Sequence, residues 1–186
     1  MKRRCLPLLA LLLLAAAALL LAACAPLREN FLPTADELSS EVIRIHIRAN
    51  GNGEADQRVK LAVRDALTEK LSVILADCAT KSEAERALSA AKDELTQIAD
   101  STLESCGFDY KTRIVLTNEH FPEKDYGGYT FPEGDYDAML VLLGEGTGEN
   151  WWCVAFPPLC FVPGEGDEVV YRSWVKEKLD ELFGRR

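Results

Sequence analysis

Histidine is nearly missing from this 186-residue chain, and neither of its two copies, His46 and His120, has other ligand-type residues around it at metal-site spacing. A structural or catalytic zinc needs three or four such ligands, so no metal or other cofactor is expected. Positive charge is also scarce: 21 Lys and Arg stand against 30 Asp and Glu, a formal charge of −9. An acidic domain repels phosphate backbones, so a nucleic-acid partner is excluded. The glycine-dense string GEGTG at 144–148 lacks the Lys-Ser/Thr pair that a phosphate loop requires, and Glu145 and Glu149 would repel an anion. Its glycines are read as letting the backbone turn sharply. No internal repeat or low-complexity tract occurs beyond the N-terminal leader.

Catalytic constellations are equally thin. A Cys–His nucleophile would have to pair His46 or His120 with Cys153, yet Cys153 has a nearer partner in Cys160. The carboxylates Asp135, Asp137, Glu145 and Glu149 could in principle serve a glycosidase, but in so acidic a chain they read as solvated surface. An enzyme is not expected.

What is present begins with the leader, residues 1–23. Lys2, Arg3 and Arg4 form a positive n-region and residues 6–21 an apolar h-region, followed by Leu21-Ala22-Ala23-Cys24 in the form of a bacterial lipobox. Cys24 is thereby a candidate lipidation site and mature N-terminus. Two alternatives stay open: an uncleaved membrane anchor, since no charge falls between Arg4 and Arg28, and ordinary cleavage at small residues. All three put residues beyond about 30 outside the cytoplasm, and an anchor, lipid or uncleaved, would hold them on the extracytoplasmic face of a membrane. Loss of the three leader cations would take the formal charge to about −12. Disulfides persist in such a compartment.

Residues 24–40 read as a polar linker and 41–186 as a single domain. Residues 41–49 alternate, Ile43, Ile45 and Ile47 against Arg44, His46 and Arg48, the pattern of a half-buried strand with a solvated polar face. NGNG at 50–53 ends it. Val59, Val63, Leu67, Leu71 and Ile74 form a helical stripe over 54–76. Ser82 to Glu85 reads as a capping box for a second helix with Leu88, Ala91, Leu95 and Ile98, ended by Gly107 in a C′ role. Two helices so closely joined pack as an antiparallel hairpin. Cys78 at the turn and Cys106 at the far end would then lie roughly 35 Å apart, too far to pair, and both read as buried thiols.

Residues 108–116 read as a second strand, Asp125 to Tyr129 as a hairpin tip, and residues 136–143, apolar on both faces, as a central strand. An amphipathic helix over 169–183 carries Trp174, Val175, Leu179, Leu182 and Phe183. The order implies an α+β domain: a small, largely antiparallel sheet covered by a helical hairpin, with a C-terminal amphipathic helix.

Residues 144–161, GEGTGENWWCVAFPPLCF, are the most distinctive stretch. They hold Trp151, Trp152, Cys153, Phe156, a Pro157-Pro158 pair, Cys160 and Phe161. A Cys153–Cys160 bond would close a short loop, worth roughly 2–3 kcal/mol on the chain-entropy estimate. Two readings stand side by side: a stiff aromatic knob, or a core strand pair with a tight proline turn. If the stretch is extended, neighbouring tryptophans face opposite ways and at most one should be buried.

This stretch, with FPEKDYGGYTFPEGDYDAMLVLLG and IRIHIRANGNGEADQRVKLAVRDAL upstream, closely resembles the stage II sporulation protein R family over residues 42–162. Matching positions include Arg44, His46, Asn50, Asp56, Gln57, Lys60, Tyr126, Tyr136, Gly144, Gly148, Asn150 to Val154, and Phe156 to Phe161. The lipobox departs from the pattern, since the family is thought of as secreted, and Glu133 stands where a small residue is expected. The resemblance implies an exported forespore signal that activates a membrane-embedded aspartic protease in the mother-cell septal membrane. That protease then cleaves the precursor of an early mother-cell sigma factor. On this reading the partner-binding residues are Asn150, Trp151, Trp152, Phe156 and Phe161, together with Arg44, His46 and Arg48. The alternative is an exported lipoprotein that binds a cell-wall fragment or other small ligand.

Overall fold

A computed structural model describes residues 33–126, 128–158 and 177–184; these belong to one unit running from Leu32 to Arg186. The elements are α1 (Ala35–Ser39), β1 (Ile43–Arg48), α2 (Glu54–Leu75), α3 (Lys81–Ser105), β2 (Thr112–Phe121), β3 (Lys124–Tyr126), β4 (Tyr129–Phe131), β5 (Gly134–Leu143) and β6 (Asn150–Phe156). Residues 177–182 are helical. Residues 169–176 of the C-terminal helix read at 169–183, with Trp174 and Val175, lie outside the described residues, as do residues 1–32 with Cys24. Among the described residues no helix is long and apolar enough to cross a membrane.

The fold is α+β. Four strands form one sheet in the order β2-β5-β1-β6, and β3 and β4 form a separate hairpin. Only β1 and β5 run parallel; β1–β6 and β2–β5 are antiparallel.

The helical hairpin forms where the apolar stripes predict it. Val59, Val63, Leu67, Leu71 and Leu75 of α2 and Ala84, Leu88, Leu95, Ala99 and Leu103 of α3 are buried. They pack on Ile43, Ile45 and Ile47 of β1 and on Met139, Val141 and Leu143 of β5. Each such aliphatic side chain contributes about 1.5–3 kcal/mol through burial. The capping box sits two residues earlier than the sequence suggested. The Thr80 hydroxyl accepts from the Glu83 amide while the Glu83 carboxylate takes the Thr80 amide. Two overlapping Ser/Thr-x-x-Glu patterns compete here, and Thr80 wins because its backbone is still extended. At the other end Gly107 takes φ +84°. The Phe108 amide reaches the Leu103 carbonyl and the Gly107 amide that of Glu104, a complete Schellman closure.

The opposite face of the sheet is covered too. Leu38 of α1, Phe121, Phe131, Tyr136, Ala138, Val154, Leu179 and Phe183 form a second cluster there. The strand β1 is therefore not half-buried: Arg44 is 0% and His46 3% exposed. Alternation assigned the two faces correctly but could not say that both would be covered. The second strand starts at Thr112 rather than residue 108, with residues 108–111 forming the approach from α3. The β3–β4 hairpin turns at the tip expected from Asp125 to Tyr129, with Gly128 at φ +95° and Tyr126 pairing with Tyr129.

Both Cys78 and Cys106 are free, Cys78 buried and Cys106 exposed, which corrects the expectation that both are buried. Cys106 sits at the helix C-cap, past the last buried position of α3. A thiol reagent should modify Cys106 in the native protein and Cys78 only in denaturant, with no Cys78–Cys106 cross-link on mild oxidation; mass spectrometry of labelled peptides checks this.

The loops at 50–53 and 144–149 are stitched together. The Gly148 amide donates to the Ala49 carbonyl, the Thr147 hydroxyl to Asn50 O, and the Glu145 and Glu149 amides to the side chains of Asn50 and Asn52. A Cβ on Gly148 would meet the Gly51 carbonyl oxygen at 2.2 Å, a backbone atom that cannot swing away. Gly148→Ala should therefore cost about 2 kcal/mol or more. Gly53→Ala, whose Cβ comes no nearer than 3.8 Å to anything, should cost under about 1 kcal/mol. Urea denaturation of the two variants is the comparison.

Candidate functional site

The aromatic stretch is a strand. Asn150–Phe156 forms β6 and pairs antiparallel with β1, with a bulge that sets both Ala155 and Phe156 against Ile43. Of the two readings, the strand describes residues 150–156. Residues 159–161, with Cys160 and Phe161, lie outside the described residues. The segment at 144–148 is a hydrogen-bonded turn.

Alternation along β6 splits the tryptophans. Trp151 packs on the helix-facing cluster, with the Arg64 guanidinium 5.8 Å from its ring centre. Trp152 packs on the opposite cluster, 5.4 Å from the His46 ring and 4.9 Å from Lys124 Nζ. Both are half-buried, because each sheet face carries a covering layer that reaches part-way over this strand. Phe156 is buried among the helix-facing residues, which excludes it as a direct surface contact.

Cys153, also on the helix-facing side, is one half of a disulfide. It pairs with Ile45, whereas His46 projects from the other face. The pleat therefore separates His46 from Cys153. His120 is exposed at the end of β2, with Nδ1 2.9 Å from Asp135 and Nε2 3.1 Å from Glu133. Those two hydrogen bonds, Asp135 first, hold its pKa above the ordinary value.

Arg44, read as a surface contact, is the largest fully buried side chain among the described residues. Its guanidinium carbon lies 4.4 Å from the Phe121 ring centre, 5.0 Å from Tyr136, 5.5 Å from Phe131 and 5.8 Å from Tyr126. Ring faces attract a desolvated cation, by about 2 kcal/mol in favourable cases. Nη2 donates to Tyr126 Oη at 3.0 Å and Nε to the Cys153 carbonyl at 3.4 Å. The Tyr126 hydroxyl in turn donates to the Trp152 carbonyl at 3.2 Å. Burial lowers the Arg44 pKa and raises that of Tyr126. The phenol thus keeps its proton at neutral pH and can donate it.

His46 is buried beside this cage, with Nδ1 2.9 Å from Glu119 and Nε2 2.8 Å from Asn150 Oδ1. Arg48 is partly exposed and binds Glu119 by a short ion pair. Asn150, His46, Glu119 and Arg48 thus link the start of β6 to β1 and β2. Of the residues singled out from sequence, Trp151, Trp152, Asn150 and Arg48 are accessible around β6. Arg44, His46 and Phe156 support them from inside.

Sequence reasoning missed Tyr126, Glu119, Lys124 and the other rings of the cage. One signal was available: Phe121, Tyr126, Phe131 and Tyr136 recur every five residues, a spacing no regular element produces. In the fold they come from β2, β3, β4 and β5 and converge on one guanidinium.

With this geometry established, relatedness can be stated. A family model described as stage II sporulation protein R matches residues 39–165, which include β1 and all of β6. A Bacillus subtilis (strain 168) protein named Stage II sporulation protein R is 36% identical over 140 residues, 75% of this chain and 62% of that protein. No solved structure matches the chain. The chain belongs to the stage II sporulation protein R family.

Proposed function

We propose that this protein is an exported forespore signal that activates a membrane-embedded aspartic protease across the septum, without catalysis of its own. The protease would then process the precursor of an early mother-cell sigma factor. Family membership supports a sporulation signalling role. The contact itself is assigned to Trp151 and Trp152, flanked by Asn150 and Arg48. The observation that carries this assignment is that two adjacent tryptophans stay partly accessible on opposite faces of a strand that Arg44 and His46 hold from inside. Tryptophan and arginine dominate protein–protein hot spots, and a rigid presentation lowers the entropy lost on binding.

The leader belongs to the same proposal. A lipidated Cys24, or an uncleaved anchor, would hold the domain at the extracytoplasmic membrane surface near its partner. A Cys153–Cys160 bond would stiffen the end of β6. The wall-fragment reading needs aromatic residues around an enclosed pocket. One open groove among the described residues, of about 380 Å³ between α3, β2 and β5, is lined by Leu88, Leu116, Asp137 and their neighbours and by no aromatic residue, so this groove lends that reading no support.

Trp151→Ala and Trp152→Ala should each weaken the contact by about 2 kcal/mol, roughly thirtyfold in Kd. Processing of the sigma precursor in sporulating cells should fall accordingly at equal levels of exported protein. Normal processing by both variants would remove the tryptophans as the contact. Deletion of the gene should abolish processing; intact processing there would sink the signalling role itself. Restoration with an exported Cys24→Ala chain then reads the anchor: reduced rescue is expected, and full rescue would make lipidation dispensable.

A further inference from the structure

We infer that Arg44 and Tyr126 form an internal clamp that sets the pose of the Trp151–Trp152 strand, so that Arg44 governs the contact without touching a partner. The inference rests on the preceding reading of the tryptophans as the contact, and it adds a positioning residue to it.

A guanidinium removed from water is costly unless charges and hydrogen bonds compensate. The described partners of Arg44 are the phenols of Tyr126 and Tyr136, a backbone carbonyl and ring faces, with no carboxylate among them. Its Nη1 has no hydrogen-bond partner among the described residues. A methionine would fill the same space without that cost, and apolar replacement of buried charge is often neutral or stabilising. Stability alone therefore does not account for an arginine here.

What the guanidinium supplies, and a hydrophobe lacks, is a rigid fork of directed donors. One branch takes the Cys153 carbonyl directly; the other takes the Trp152 carbonyl through the Tyr126 hydroxyl. Both arms end on consecutive peptide units of β6, beside the indole that packs on His46 and Lys124. Because β6 is joined to the sheet only through β1 among the described residues, these bonds are a second constraint on where the tryptophan backbone sits. The β3–β4 hairpin that carries Tyr126 becomes part of the contact's support in the same way.

The experiment uses the full exported chain with Arg44→Met, Arg44→Lys and Tyr126→Phe. Hydrogen exchange at residues 151–155 is compared with exchange in α2 and α3, alongside processing of the sigma precursor. Arg44→Met should stay folded, with at least tenfold faster exchange confined to 151–155 and a matching loss of processing. Tyr126→Phe should do the same more weakly. Lysine keeps the charge but cannot span both acceptors, so it should rescue only in part. A role in packing alone predicts the opposite for methionine: unchanged local exchange, or exchange that rises equally throughout the domain. Either result overturns the clamp. Local loosening with normal processing, while Trp152→Ala still abolishes it, overturns the positioning role and leaves the contact reading standing. Normal processing by the tryptophan variants instead sinks the contact reading, and local exchange still decides the clamp. Should Arg44→Met fail to fold, Tyr126→Phe, which removes one hydroxyl, decides.

Discussion

The fold depends on a central strand that must satisfy two different layers at once. On one side β1 presents isoleucines to a pair of long helices, and non-directional burial suffices there. On the other it presents Arg44 and His46 to a layer of aromatic rings and polar groups, where every donor needs a direction. The first face supplies most of the apolar burial. The second brings β2, the β3–β4 hairpin, β5 and β6 together around the Arg44 guanidinium, which contacts a side chain or carbonyl from each.

A consequence is that the residues exposed around β6 are few but strongly supported. The glycine turn at 144–148 locks the entrance of β6 to the end of β1 through the carbonyls of Ala49 and Asn50. The polar link through His46, Glu119 and Asn150 holds the same end from the opposite face. The glycines there serve positive φ at Gly144 and Gly146 and the close approach of two backbones at Gly148. On the proposed reading a contact made there would be preorganised by the interior, so that residues that never meet a partner could still decide whether it works.

How far the sequence could be read differs by element, and the reason is the range of the interaction. The helical hairpin was legible because its stripes, its Gly107 closure and its short connector are all local. The β3–β4 tip was legible from Gly127-Gly128 alone. The edges of β2 and the choice between Thr80 and Ser82 as cap were not, since each depends on where the chain comes from in space. The aromatic stretch was half legible: its composition marked it out, but whether it formed a knob or a strand turned on the presence of β1 to pair with.

By itself the sequence determined the α+β class, the two helices, the family and the aromatic stretch that becomes β6. These rest on periodicity, turn chemistry and motif identity within tens of residues. Only the tertiary structure decided that Arg44 and His46 are internal. Alternation says which side a residue faces, while burial depends on what arrives from elsewhere. Arg44 meets the Cys153 carbonyl across a separation of 109 residues and the Tyr126 hydroxyl across 82. No local pattern encodes a cage assembled from four strands, and that cage decides how the tryptophans are held.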